Sequence, residues 1–182
     1  MAKWVAFFSQ TGSEIVQISE QIGRWPDVII SNVRPDHLRT ITAKLKDRPV
    51  TLISNKPNAD EYREVLSKAI SPEDDYVVTL HGWLRVIPQE IISEYSTMFN
   101  GHPGLISKYP ELKGKDPQHK AYSLGLLTSG CVIHKVTAGV DEGPVSREVE
   151  VAIKDLTMDQ IFETLHTNSV DLWVNFLTRH WL

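Results

Sequence analysis

The sequence predicts an α/β protein with a doubly wound, mostly parallel sheet and an antiparallel extension near the C-terminus. Three observations predict it. Short, continuously apolar runs rich in Val, Ile and Phe recur through the first eighty residues, as strands buried on both faces read. Amphipathic stretches of helical length separate them. From residue 129 the runs alternate more nearly wet with dry, as strands with one solvated face do.

Taken in order, KWVAFFS is a strand, 13–23 a helix, DVIIS a strand, 36–45 a helix, PVTLIS a strand, 59–69 a helix and YVVTLHGW a strand. Short helices are expected at 88–96 and 117–125. The stretch FNGHPGLISKYPELKGKDPQ, residues 99–118, reads as a shaped loop because Gly101, Pro103, Gly104 and Pro110 interrupt both periodicities. GCVIHKVTAG and GPVSREVEVAI, joined by VDEG, form the antiparallel pair. Beyond Thr157, apolar residues at Met158, Ile161, Phe162, Leu165, Val170, Trp173 and Phe176 follow a period near 3.6, which predicts one closing amphipathic helix. The architecture is Rossmann-like, and no repeat or low-complexity linker divides it, so a single domain over 1–182 with no additional C-terminal domain is expected.

Composition narrows the partners. A chain of 182 residues buries roughly 70% of its unfolded surface, enough for one core. Nineteen basic and 23 acidic residues are interspersed, for a net charge of -4, so no extended nucleic-acid surface or membrane-seeking patch is expected. The one cysteine, Cys131, has no internal partner, and MAKWVAFFSQTG holds too short an apolar run for a signal peptide or membrane span. Both point to a reducing, cytoplasmic setting. Cys131 lies in the apolar run CVIHKV and reads as a structural thiol.

In an open parallel sheet, ligands sit beyond the carboxyl ends of the strands, and three loops there carry polar chemistry. SQTGSE contains Gly12, Ser13 and Glu14 at the start of a helix. Its amides suit an anion, or it is an ordinary turn capped by Ser13, and Glu14 places a negative charge where such an anion's charge lies. HGWLRV brings Trp83, Leu84, Arg85 and Val86 to a crevice suited to a flat heterocycle carrying carboxylates, with Trp83 and Leu84 alternatively in the core. The third pair of segments supplies Asn100, an amide donor, His102, which gives or takes a proton, and Asp141, a carboxylate able to orient a histidine.

The order and spacing of an Asn-x-His-Pro step, a Tyr-Pro-x-Leu-x-Gly continuation and an Asp-x-Gly-Pro turn, following HGWLRVIP, resemble the folate-dependent formyltransferase family. The likeness extends to SQTGSE and the final helix, so it covers nearly the whole chain. The resemblance implies a catalytic trio of Asn100, His102 and Asp141. It implies that Trp83, Leu84, Arg85 and Val86, closed by Val140, Glu142 and Gly143, hold the pterin of 10-formyltetrahydrofolate as co-substrate. An acceptor amine would then lie against Gly12, Ser13 and Glu14, with Lys108 as an anion site or simply solvated. No metal is expected, since the seven histidines show no ligand spacing.

The chain departs from family members that act on glycinamide ribonucleotide. These usually carry Asn where Glu14 stands, Gly where Gln10 stands and an acidic residue near Asn168. The expected activity is N-formyl transfer to the primary amine of a small acceptor, a nucleotide or an amino sugar. Hydrolysis of 10-formyltetrahydrofolate on the same trio and a non-catalytic folate-binding module are alternatives. So is a flavodoxin-like FMN carrier, suggested by FFSQTGSE.

Overall fold

The structure, a computed structural model, describes residues 1–37 and 43–182. Among them a seven-stranded sheet has the order β3-β2-β1-β4-β5-β6-β7. Its strands are β1 (Lys3–Phe8), β2 (Val28–Ser31), β3 (Val50–Leu52), β4 (Tyr76–His81), β5 (Met98–His102), β6 (Thr128–Lys135) and β7 (Val145–Ala152). The pairings from β3 through β5 are parallel, and β5–β6 and β6–β7 are antiparallel. The helices are α1 (Ser13–Ile22), α2 (Ala59–Ala69), α3 (Gln89–Glu94), α4 (Pro117–Ser123) and α5 (Met158–His180). None of the described helices is long and apolar enough to cross a membrane.

Most of the expected elements form, and the exceptions have physical causes. The helix expected at 36–45 falls largely outside the described residues, although Pro35–His37 makes a single 3₁₀ turn. The start of the stretch read as a loop is strand β5. Gly101 and the polar pair around it are carried by registers on both sides, Leu80 opposite Asn100 on β4 and His134 opposite Asn100 on β6. Two flanking ladders outweigh the weak strand propensity of Asn-Gly. Ser13 is not a helix cap. Gly12 stands at the cap position of α1 with φ 66°, a left-handed conformation that glycine adopts without strain, and no side chain caps the helix.

Capping boxes open the other amphipathic helices: Asn58 with Glu61 for α2, and Thr157 with Gln160 for α5. Side-chain alternation then divides the core. Val5, Phe7, Val78, Leu80 and Met98 pack beneath α2 and α3, while Trp4, Ala6, Phe8 and Val77 pack against α1 and α5. Burial of each such aliphatic or aromatic side chain contributes about 1.5–3 kcal/mol. Cys131 is buried, as its apolar run predicts, and burial pushes its thiol pKa up, which makes it a poor nucleophile. The chain reverses direction across the sheet between β1 and β4, so the crevice at the carboxyl ends of these strands is where a ligand fits.

Candidate active site

Alternation along β5 sets the geometry of the candidate site. Met98 and Phe99 face opposite cores, so Asn100 and His102 project from the α2 and α3 side and Gly101 from the α5 side. The loop after β6 folds back over the first of these faces and delivers Asp141, itself in a left-handed conformation with φ 53°. A non-glycine residue held there is a local strain that the surrounding contacts must outweigh.

Those contacts converge on the carboxylate. Asp141 Oδ2 accepts the Gly114 N–H at 2.8 Å and lies 3.3 Å from His102 Nδ1. Oδ1 lies 3.2 Å from His134 Nε2 and accepts from Asn100 Nδ2 at 3.4 Å. The expected trio is therefore brought together, with a fourth member that the sequence reading missed. His134 sits opposite Asn100 in the β5–β6 ladder, and Asn100 Nδ2 lies 3.1 Å from its Nε2. Its only sequence signal was an imidazole directly after the apolar run Cys131, Val132 and Ile133.

Backbone carbonyls fix the proton positions. His102 Nε2 is 2.8 Å from the Leu112 carbonyl, which only accepts, so Nε2 carries a proton and the neutral ring presents its lone pair at Nδ1, toward Asp141. His134 Nδ1 likewise donates to the Lys135 carbonyl at 3.0 Å, so Nε2 accepts from Asn100 in the neutral ring and donates to Asp141 Oδ1 when the ring is protonated. Burial lowers the His102 pKa below the ordinary imidazole value, and the opposing charge of Asp141 offsets only part of that. For Asp141, burial acts upward. The hydrogen bond with His134, the His102 charge and the Gly114 N–H outweigh it and hold the carboxyl below its usual range. The site is an ionised carboxylate flanked by two imidazoles, one of them ready to take a proton.

The residues expected to hold a pterin divide. Leu84, Val86 and Val140 are 57%, 67% and 58% exposed, unusual for large apolar side chains and suited to covering an apolar ligand. Trp83 is 8% exposed and belongs to the core, where its Nε1 donates to the Tyr62 hydroxyl at 3.1 Å and its ring meets Phe7 edge-on. Arg85 is tied to the Asn55 carbonyl and side chain and to the Leu84 carbonyl. It lines a cavity of about 370 Å³ with Ser9, Gln10, Asn32, Arg34 and His37. Glu142 is exposed, and Gly143 is buried with its backbone against the Lys135 carbonyl.

On the opposite face, a second cavity of about 230 Å³ runs from Gly12, Ser13 and Glu14 past His81 to Gly101 and Pro103, the residues on either side of His102 in the chain. Lys108 is not among its walls. Its ammonium pairs with Glu150 and lies over the Tyr109 ring. The Glu14 carboxylate turns inward, Oε2 at 2.7 Å from His81 Nδ1 and Oε1 accepting from Ser169 Oγ. Positions 67 and 155 residues from Glu14 in the chain meet here, which no local pattern announces.

The chain is similar to known proteins in sequence and in fold. The chain is 30% identical over 143 residues to the trifunctional purine biosynthetic protein adenosine-3 of Drosophila melanogaster, matching 76% of this chain but spanning only a tenth of that protein. It is 25% identical over 170 residues to the phosphoribosylglycinamide formyltransferase of Mycobacterium tuberculosis, 91% of this chain and 76% of that one. The crystal structure of phosphoribosylglycinamide formyltransferase from Streptococcus pneumoniae superposes with a TM-score of 0.83, covering all of both chains at 24% identity, and so shares the fold. The sequence model for formyl transferase matches residues 2–177, a span that leaves the flavodoxin-like alternative without support, and the chain belongs to the formyl transferase family.

Proposed function

We propose that the protein transfers the formyl group of 10-formyltetrahydrofolate to the primary amine of a small acceptor. The observation that carries this reading is the single carboxylate, Asp141, held between His102, His134 and Asn100 at the end of a central strand. When bound, the folate supplies a formyl carbon on N10 that an amine can attack. Leu84, Val86 and Val140 provide the apolar cover for its ring. Asn100 supplies an amide donor for the negative charge that builds on the formyl oxygen, where loss of one donor typically costs about 100- to 1000-fold in rate. The Nδ1 lone pair of His102 takes the proton that the attacking nitrogen must lose, Asp141 stabilises the imidazolium that results, and that proton goes to N10 as the bond between the formyl carbon and N10 breaks and tetrahydrofolate leaves.

Calorimetric titration with a stable 10-formyltetrahydrofolate analogue tests the donor. Wild type should bind saturably, and the variant carrying Leu84→Ser and Val140→Ser should bind at least about tenfold more weakly, equivalent to roughly 1.4 kcal/mol. No binding to wild type at millimolar analogue removes folate from the reading. Strict dependence of turnover on an added amine then distinguishes transfer from hydrolysis.

A second expectation concerns protonation. Because burial lowers the His102 pKa, its ring should titrate below the ordinary value of about 6.5 in nitrogen-15 NMR. In Asp141→Asn the midpoint should fall further, since the carboxylate favours the charged ring. A midpoint above the ordinary value in wild type contradicts the assignment of His102 as a resting neutral base.

A further inference from the structure

The cavity beside Gly101 has a chemistry of its own. Its walls include Gln10, Thr11, Ser13, Glu14, His81, His166 and Ser169. Among the described residues that line it there is no lysine or arginine. The Glu14 carboxylate is not a loose surface acid. One oxygen faces His81 Nδ1 at 2.7 Å and the other accepts from Ser169 Oγ, and His81 is itself buried. A carboxylate only accepts, so Nδ1 is the protonated nitrogen of His81. Behind it, Trp4 Nε1 donates to Thr79 Oγ1 at 2.8 Å, and Thr79 Oγ1 lies 2.8 Å from His81 Nε2, so in the neutral ring the threonine proton goes to Nε2. The imidazole is thus fixed from the core outward, and its orientation fixes the carboxylate.

Charge and donor inventory follow from this network. Burial acts to raise the Glu14 pKa, but its bond to and pairing with His81, with help from Ser169 and His166, keep it below the ordinary range, so the group is ionised. The Glu14 and His81 pair is at most neutral and never positive. A carboxylate offers about four lone-pair sites, of which His81 and Ser169 use two, so the rest can accept from a ligand in the cavity. Phe162, an exposed aromatic in the same wall, stands edge-on to His119 and offers an apolar face to the carbon skeleton of a ligand.

We propose that this cavity is the acceptor site and that Glu14, oriented by His81 and Ser169, makes it specific for an unphosphorylated, hydroxyl-bearing amine. The inference rests on the formyl-transfer reading above for the role of the neighbouring catalytic residues. A phosphate monoester placed here meets an anchored negative charge, and among the described lining residues the only group beyond the His81 pair able to carry a positive charge is the His166 imidazole. Hydroxyl groups find an anionic acceptor, the Thr11 and Ser13 hydroxyls and the Gln10 amide. Ser169 and His81 are positioning residues in this scheme, since they act through Glu14.

The test compares acceptor pairs that differ only in a phosphate: glucosamine with glucosamine 6-phosphate, and glycinamide riboside with glycinamide ribonucleotide. Binding of each is measured by calorimetry on wild type and Glu14→Gln, and kcat/KM is measured with 10-formyltetrahydrofolate where turnover occurs. Wild type should favour the unphosphorylated member at least tenfold in at least one pair, and Glu14→Gln should shrink that ratio. His81→Ala should shrink the same ratio without changing binding of the folate analogue, an effect that a purely structural role does not produce. Preference of wild type for a phosphorylated member, a ratio unmoved in Glu14→Gln, or binding of neither member of both pairs overturns the proposal. Failure of wild type to bind the folate analogue overturns the donor reading instead, and leaves the acceptor preference measurable by binding alone.

Discussion

Replacing Asp141 by Asn should lower formyl transfer by about 100- to 10,000-fold, the range of general acid–base contributions, with binding of the folate analogue retained within a few fold. The side chains are nearly equal in size, and an amide oxygen can still accept the Gly114 N–H that Asp141 Oδ2 accepts at 2.8 Å. Shape is therefore conserved and chemistry is not. His102 Nε2 is committed to the Leu112 carbonyl, so the neutral ring presents a lone pair at Nδ1. With the amide oxygen kept on the Gly114 N–H, the NH₂ takes the Oδ1 position beside His134 Nε2, and His102 Nδ1 faces a neutral oxygen in place of a carboxylate. The same change removes the negative charge that stabilises the imidazolium. Single-turnover rates with saturating donor and amine measure the loss. Turnover within tenfold of wild type removes Asp141 from the proton path.

That carboxylate also shows how far the sequence could be read. The parallel half of the sheet was legible because KWVAFFS, DVIIS and YVVTLHGW are dry on both faces, and a strand covered by helices on both sides has to be. The trio of Asn100, His102 and Asp141 was legible only through the resemblance to the formyltransferase family, not through any local structural signal. Strand β5 was illegible because Gly101 and Pro103 are strand breakers in isolation. Its formation depends on ladders with residues 20 positions before and 30 to 36 after. A Cβ at Gly101 would fall 2.6 Å from Trp173 Nε1, so the glycine answers to the closing helix and not to a turn.

His134 was overlooked for a related reason. An imidazole in CVIHKV reads as one polar interruption, and its meaning comes only when the following loop returns Asp141 to 3.2 Å from it. The resemblance put Trp83 against the pterin, while the residues themselves also allowed it a place in the core. The indole instead packs between Phe7 and Tyr62, and the neighbouring Leu84 and Val86 are the exposed residues. Glu14 read from sequence as a negative charge in the first turn of a helix, and it stands there. Nothing near it in sequence revealed that His81 and Ser169 anchor it.

Gly143→Ala should be nearly as damaging as a change to the catalytic residues, although the new methyl group touches none of them. A Cβ at this position would lie 1.7 Å from the Lys135 carbonyl oxygen, which is backbone and cannot swing aside. The Lys135 carbonyl accepts from His134 Nδ1, and the Lys135 N–H donates to the Pro144 carbonyl at 3.0 Å, closing the base of the loop that carries Asp141. Relief of the clash therefore moves either the anchor of His134 or the base of the Asp141 loop. A displacement of about 1 Å at a reacting group costs on the order of 100-fold in rate. Transfer should fall by at least that factor, while the melting temperature changes far less than it would for a lost core residue, because the clash lies in a loop at the edge of the sheet. Gly139→Ala provides the contrast. Its nearest obstacle is the end of the exposed Glu142 side chain, which can rotate into solvent, so its activity should stay near wild type. Equal rates for the two variants would show that the loop absorbs the methyl group without moving Asp141, and that closure at Lys135 does not set the catalytic geometry.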